Sequence, residues 1–185
     1  MAWSKPVPAD CFIPNAANIF LKKDKINYPK TGVHPGVDYP WSRLSVVTNV
    51  FACTDGVIVH RGFNGVDLGI YLGNFVCLYV GAVNKTFTYC HLRDSPIKKG
   101  QVKSGEVLGV MGATGKALGV HLHLEGFNGM MDADAKRKPL NNEDDVKKMF
   151  FDAHKYISIK LQMDAMQRPN IPVTGLAKKP TTRLA

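Results

Sequence analysis

Between residues 46 and 125 the chain breaks into short runs rich in Val, Ile, Tyr, Phe and Thr, and this texture constrains the fold more than any other feature. The runs span 45–51, 56–60, 68–72, 75–80 and 86–91, with Asp55-Gly56, Asn64-Gly65, Gly73-Asn74 and Val83-Asn84 between them. β-Branched and aromatic side chains suit a pleated surface, while Gly, Asn and Asp tolerate the backbone of tight turns. Many short strands joined this way predict a mainly β chain with an antiparallel sheet. Glycines at 100, 105, 109, 112, 115 and 119 then suit corners where strands bend or change partners. Gly112-Ala113-Thr114-Gly115-Lys116 superficially matches a phosphate-cradling loop, but Ala117 stands where that loop needs Ser or Thr.

The flanks read differently. Residues 1–31 carry Pro6, Pro8 and Pro14 among short apolar pieces, which predicts an irregular lead-in packed on a main domain over 32–140. Over 141–168 a C-terminal α-helix is expected. Asn142 is placed to cap it, Glu143, Asp144 and Asp145 suit its first turn, and Pro169 stops it. Val146, Met149, Phe150, Ala153, Ile157 and Leu161 recur at helical spacing, the stripe of a face packed on the domain. Residues 169–185, rich in Pro, Thr, Lys and Ala, predict a flexible basic tail.

The balance of 24 Lys+Arg against 15 Asp+Glu gives a net charge of +9, spread evenly along the chain. Without a concentrated basic arm, specific nucleic-acid binding is not indicated, while attraction to anionic surfaces is. No run approaches the ~18 apolar residues that a membrane-spanning helix needs. Pro6, Pro8 and Asp10 interrupt the place of a signal peptide's apolar core, so synthesis in the cytoplasm is the expectation. Cys11, Cys53, Cys77 and Cys90 form no C-x-x-C pair and read as buried free thiols.

The chemistry lies in the histidines. In His121-Leu122-His123-Leu124-Glu125, a strand would put His121, His123 and Glu125 on one face and both leucines on the other. A second element is His34-Pro35-Gly36-Val37-Asp38. Extended, its two end residues would lie about 13 Å apart, but a bend at Pro35-Gly36 could bring both to one metal. His34, Asp38 and one of His121 and His123 would then form a His₂Asp set, with a fourth position open, as in catalytic zinc sites. Alone, each motif has a plainer reading: a turn-capping Asp38, a surface His34, a histidine pair on a strand. In Thr88-Tyr89-Cys90-His91-Leu92, adjacent Cys90 and His91 should face opposite ways, so they are not a nucleophile pair. Tyr39 is a candidate groove residue, and His60 and His154 fit no motif.

Together, residues 88–92, Lys99-Gly100-Gln101-Val102, Gly112-Ala113-Thr114-Gly115, residues 119–125 and the upstream His34–Asp38 element resemble the lysostaphin-type zinc endopeptidases, across roughly residues 32–127. The resemblance implies an antiparallel sheet with an open groove, Zn²⁺ held by His34, Asp38 and His123, and catalytic His91 and His121. It implies a metalloprotease acting as a peptidoglycan hydrolase, cutting peptide stems or cross-links. Glu125 is placed to orient His123 or another ligand, with a simple surface role as the alternative. Cys90 departs from the small residue common in the family, which predicts oxidation-sensitive activity. The size and the N-terminus resemble a phage endolysin, a monomeric bacteriolytic enzyme made in the host cytoplasm and released onto an anionic cell wall; a virion-borne protein is the nearby variant. Two other readings exist: a catalytically silent wall-binding or virion structural relative, and a histidine phosphocarrier. The complete histidine and aspartate set speaks against the first, and a phosphocarrier has no use for His34 and Asp38.

Overall fold

A computed structural model of the chain describes residues 1–64, 72–131 and 140–167. The antiparallel sheet is present. Its strands are β1 (Val37–Pro40), β2 (Asn49–Phe51), β3 (Gly56–Asn64), β4 (Gly73–Val80), β5 (Lys85–Asp94), β6 (Gly100–Val102), β7 (Val107–Met111), β8 (His121–Asn128) and β9 (Phe150–Phe151). Their order is β1-β8-β5-β4-β3-β6, with β7 joining β5 to β2 and β9 added on β8, and the sheet stays open. The run at 68–72 lies almost wholly outside the described residues.

Alternation along the strands sorts the two faces. Phe87 and Tyr89 of β5, Leu122 and Leu124 of β8, and Val37 and Tyr39 of β1 enter the main core. Full burial of Leu122 and Leu124 is worth roughly 1.5–3 kcal/mol each. A one-residue slip would expose both leucines, so they hold β8 in the register that turns His121, His123 and Glu125 to the other face. The N-terminal segment closes this core with Trp3, Val7 and Cys11, and the C-terminal region adds Ala153 and Ile157. Trp3 meets the rings of Phe87 and Tyr156 edge-on.

Two glycines let β7 cross tightly over the end of β5. A Cβ on Gly112 would lie 2.3 Å from the Arg93 nitrogen, and one on Gly109 would lie 2.4 Å from the Asp94 carbonyl oxygen.

The expected helix over 141–168 is divided into α1 (Glu143–Met149) and α2 (Ala153–Gln167). Asn142 caps α1 by accepting the Asp145 N–H at 2.9 Å. Phe150 and Phe151 then leave the helix and pair with Phe127 and Gly126 as β9. The Phe151 ring fills the space over Gly126, where a Cβ would come within 2.6 Å of it. Gaining sheet bonds and that ring contact outweighs continuing the helix. The apolar stripe still faces inward, with Val146 and Phe150 against Val33, and Ala153 and Ile157 in the main core. Among the described residues no helix is long and apolar enough to cross a membrane. The tail at 169–185 lies outside the described residues. All four cysteines are free and buried, as expected.

Candidate metal centre

The first element owes its shape to the N-terminal segment. The Leu21 N–H donates to the His34 carbonyl, and the His34 N–H donates to the Lys22 carbonyl, at 2.9 Å each. The chain then bends at Pro35-Gly36, where a Cβ on Gly36 would lie 2.6 Å from the Leu124 carbonyl oxygen and 2.8 Å from the His123 ring. Only glycine fits so close an approach. The bend brings His34 Nε2 within 3.4 Å of Asp38 Oδ1, in place of the extended separation. β1 pairs with β8 so that Asp38 lies opposite His123.

His34 Nε2 lies 2.9 Å from His123 Nδ1, which lies 2.8 Å from Asp38 Oδ1. All three side chains are buried. Each imidazole has an acceptor at its outer nitrogen: the Ile19 carbonyl 3.3 Å from His34 Nδ1, and Glu125 Oε1 3.2 Å from His123 Nε2. With those nitrogens donating outward, the inner ones carry lone pairs that converge on a carboxylate oxygen, a donor set that calls for a cation. A tetrahedral centre with bonds of ~2.1 Å would space its ligand atoms ~3.4 Å apart, close to the separations present. His34, Asp38 and His123 are thus a group that could hold a metal ion. Burial opposes ionisation of Asp38, yet the adjoining His123 and His34 hold its carboxyl below the usual carboxylate range.

His121 and His91 stand beside this group. His121 Nδ1 lies 2.8 Å from the Gly119 carbonyl oxygen, which leaves Nε2 facing Asp38 Oδ1 at 3.7 Å. The His91 ring sits 4.8 Å from that of His121 and 5.7 Å from that of His123. Its Nδ1 donates to the Thr114 carbonyl at 2.8 Å, leaving Nε2 with its lone pair. Burial, reinforced by the neighbouring His123 and His121, pulls the His91 pKa down to about 4, so the ring is neutral at pH 7.

The expected alternation fails at Cys90 and His91. Asn74 pairs with Leu92 while Val76 pairs with Tyr89, so Phe75 alone faces two residues of β5. His91 takes a left-handed φ of 61° within this bulge. Cys90 stays buried against Phe75 and Cys77, and His91 still reaches the site. Cys90 is fully buried, which removes the direct exposure that oxidation sensitivity would need.

Tyr39 borders the cleft beside Asp38, but its ring is buried, stacked on Phe12. His60 packs on Phe75, and His154 meets the Tyr39 hydroxyl at 3.0 Å, both away from the site. Sequence reasoning missed Thr114, which holds His91 through its carbonyl and, through its hydroxyl, donates to Leu92 O and accepts the Asn74 N–H. It also missed the Ile19 carbonyl behind His34, whose partnership no local motif encodes.

Known proteins resemble this chain in sequence and fold. The family model of peptidase family M23 matches residues 32–136. The peptidoglycan DD-endopeptidase ShyC of Vibrio cholerae is 36% identical over 103 residues, 53% of this chain and 22% of that protein. The DD-carboxypeptidase/endopeptidase Mpg of Neisseria meningitidis is 37% identical over 93 residues, 50% of this chain and 20% of that protein. The chain thus spans about a fifth of the length of these curated relatives. Among solved structures, the catalytic domain of lysostaphin from Staphylococcus simulans superposes with a TM-score of 0.52 at 25% identity, covering 69% of this chain and 80% of that one. A zinc-containing peptidase from Vibrio cholerae superposes with a TM-score of 0.55 at 28% identity, covering 75% and 41%. With more than half of its length matched, this chain belongs to peptidase family M23, the lysostaphin-type metallopeptidases.

Proposed function

We propose that this chain is a zinc-dependent endopeptidase that hydrolyses peptide bonds of bacterial peptidoglycan. The observation that carries the reading is the convergence of His34, Asp38 and His123, with His91 and His121 at their side. The peptidoglycan DD-endopeptidase and the zinc-containing peptidase of Vibrio cholerae support the substrate and the metal.

His34 Nε2, Asp38 Oδ1 and His123 Nδ1 hold the metal in this reading. A bound zinc supplies a Lewis acid and lowers the pKa of an attacking water toward ~7. Neutral His91, its ring fixed by Thr114, would accept at Nε2 the proton given up by the attacking water and deliver it to the departing amine. His121, whose Nδ1–H the Gly119 carbonyl holds at the cleft edge, would donate from Nε2 to the developing oxyanion as the doubly protonated imidazolium.

The test is digestion of purified sacculi by the protein as prepared, after chelation, and after zinc is restored, with the released fragments identified by mass spectrometry. Cleaved peptide bonds that vanish on chelation and return with zinc are expected. Folded, zinc-loaded protein that releases nothing would instead be a silent wall-binding relative.

Host lysis during phage infection by a monomer made in the cytoplasm belongs to the same proposal, supported by the net charge of +9 toward an anionic wall. Expression inside a bacterium should leave cells intact until the membrane is permeabilised, and lysis should weaken as salt rises.

A further inference from the structure

Several of the most exposed apolar side chains stand together at one edge of the sheet. Pro40 of β1 lies opposite His121 of β8, so Trp41 and Val120 leave the paired strands side by side. The loop that begins at Trp41 returns to the same edge, where the Thr48 carbonyl accepts the Met111 N–H at 2.8 Å and Gly112 bridges to His121. Val46 is 100% exposed, Leu118 97%, Leu44 84% and Trp41 51%. Scattered apolar residues on a surface need no explanation, but a cluster of this kind marks a face that meets something.

The loop meets its own polar needs. The Ser42 N–H donates to Thr48 Oγ1 at 3.0 Å, the Leu44 N–H to Ser42 Oγ at 3.1 Å and the Val47 N–H to Ser45 Oγ at 3.2 Å. The Ser45 hydroxyl in turn donates to the Val47 carbonyl at 2.7 Å. Polar groups so engaged lose little when water is withdrawn, which is the condition for a loop that enters lipid. They are also closed to an added strand, which argues against a peptide pairing along this loop. The charges agree in sign. Residues 39–54 and 107–124 contain Arg43 and Lys116 and no Asp or Glu, and both cations are exposed. Aliphatic tips beside a tryptophan and cations compose a surface that settles on anionic lipid. A soluble polyanion would use the cations but not the aliphatic tips.

We infer that residues 41–47, with Leu118 and Val120, form a docking surface for an anionic phospholipid bilayer. The aliphatic tips enter the headgroup boundary, and Arg43 and Lys116 meet lipid phosphates. Pro40, Leu118 and Val120 also line the cleft beside Asp38 and His121, so docking turns that cleft toward the membrane. The inference goes beyond the peptidase reading, and its test needs no cleavage.

The test is co-sedimentation of the full zinc-loaded chain with vesicles of phosphatidylglycerol and phosphatidylcholine, with pure phosphatidylcholine as the neutral control. Binding to the anionic vesicles that weakens with salt is expected, with a blue shift of tryptophan emission that Trp41→Phe abolishes. Leu44→Ser combined with Val46→Ser should weaken binding at least about tenfold. Arg43→Glu should weaken it at least about fivefold. All three positions are exposed, so the melting temperature and bound zinc should stay unchanged. Absence of binding to anionic vesicles overturns the inference, and so does equal binding by the variants and the unaltered chain. A dimer in analytical ultracentrifugation that the double serine variant loses, without vesicle binding, would make the patch an interface between copies. Retention on purified sacculi with the same losses, again without vesicle binding, would make it a wall contact. Either result overturns lipid docking.

Discussion

His123 Nε2 lies 3.2 Å from Glu125 Oε1, two residues further along β8, and both side chains are shut off from solvent. The period of the strand puts the carboxyl directly behind the imidazole, where it fixes the tautomer that turns Nδ1 toward Asp38 and His34. Glu125→Gln keeps the shape and removes the charge. Zinc affinity should fall about 10–100-fold, read by competition with a coloured chelator. An unchanged affinity would make Glu125 a passive part of the interior.

The proposed division of labour separates two kinds of histidine. His123→Ala should lose both zinc and peptide cleavage. His91→Ala and His121→Ala should keep stoichiometric zinc while kcat falls about 10²–10⁴-fold, the usual worth of a positioned acid or base. Metal analysis beside muropeptide release distinguishes the classes. Loss of zinc in His121→Ala would move that residue into the ligand set.

How far the site could be read ahead depended on the range of the interactions involved. The H-x-H alternation of β8 was legible because Leu122 and Leu124 mark the core face within the same five residues. The bend of His34–Asp38 was legible from Pro35 and Gly36, although its tightness depends on Leu124 and His123 in another strand. The orientation of His91 was hidden, since the bulge arises from how Phe75 on β4 meets β5. The break between α1 and α2 was hidden for the same reason: Phe150 continues the helical stripe, and only the bare Gly126 on β8 offers Phe151 a place in the sheet. The contribution of the N-terminal segment rests on backbone groups such as the Ile19 carbonyl, which leave no signature in side-chain pattern.

Gly36→Ala tests the close approach at that bend. Its Cβ would meet the Leu124 carbonyl oxygen at 2.6 Å, and backbone there cannot yield as a flexible side chain could. Overpacking of this kind costs about 1–3 kcal/mol. The melting temperature should fall, and zinc affinity should fall with it because the new methyl also presses on His123. Wild-type values for both would show that the loop relaxes freely.

Acid should act on the far side of β1 as well. Burial lowers the His154 pKa from its ordinary 6.5, and the Tyr39 hydroxyl sits 3.0 Å from its Nδ1. A depressed folded pKa means that the unfolded chain takes up the proton first. The contribution is therefore fully present above about pH 6.5 and is lost as pH falls toward the lower folded value. Melting curves from pH 7.5 to 5 should drop less steeply for His154→Gln than for the unaltered chain. Parallel curves would mean that other groups carry the acid sensitivity.

The four thiols should be silent in the native protein. Burial raises Cys53 to about 12 and Cys11 to about 11, and Cys77 and Cys90 are equally closed to solvent. The thiolate is the reactive form, so neither its population nor access to it favours reaction at neutral pH. A disulfide reagent at pH 8 should modify few thiols until denaturant is added, and then all four. Mild peroxide should leave muropeptide cleavage intact despite the position of Cys90 beside His91. Rapid native labelling at Cys90, with matching loss of cleavage, would mean that the bulge opens on the timescale of the reaction and that the buried geometry of β5 is only its resting state.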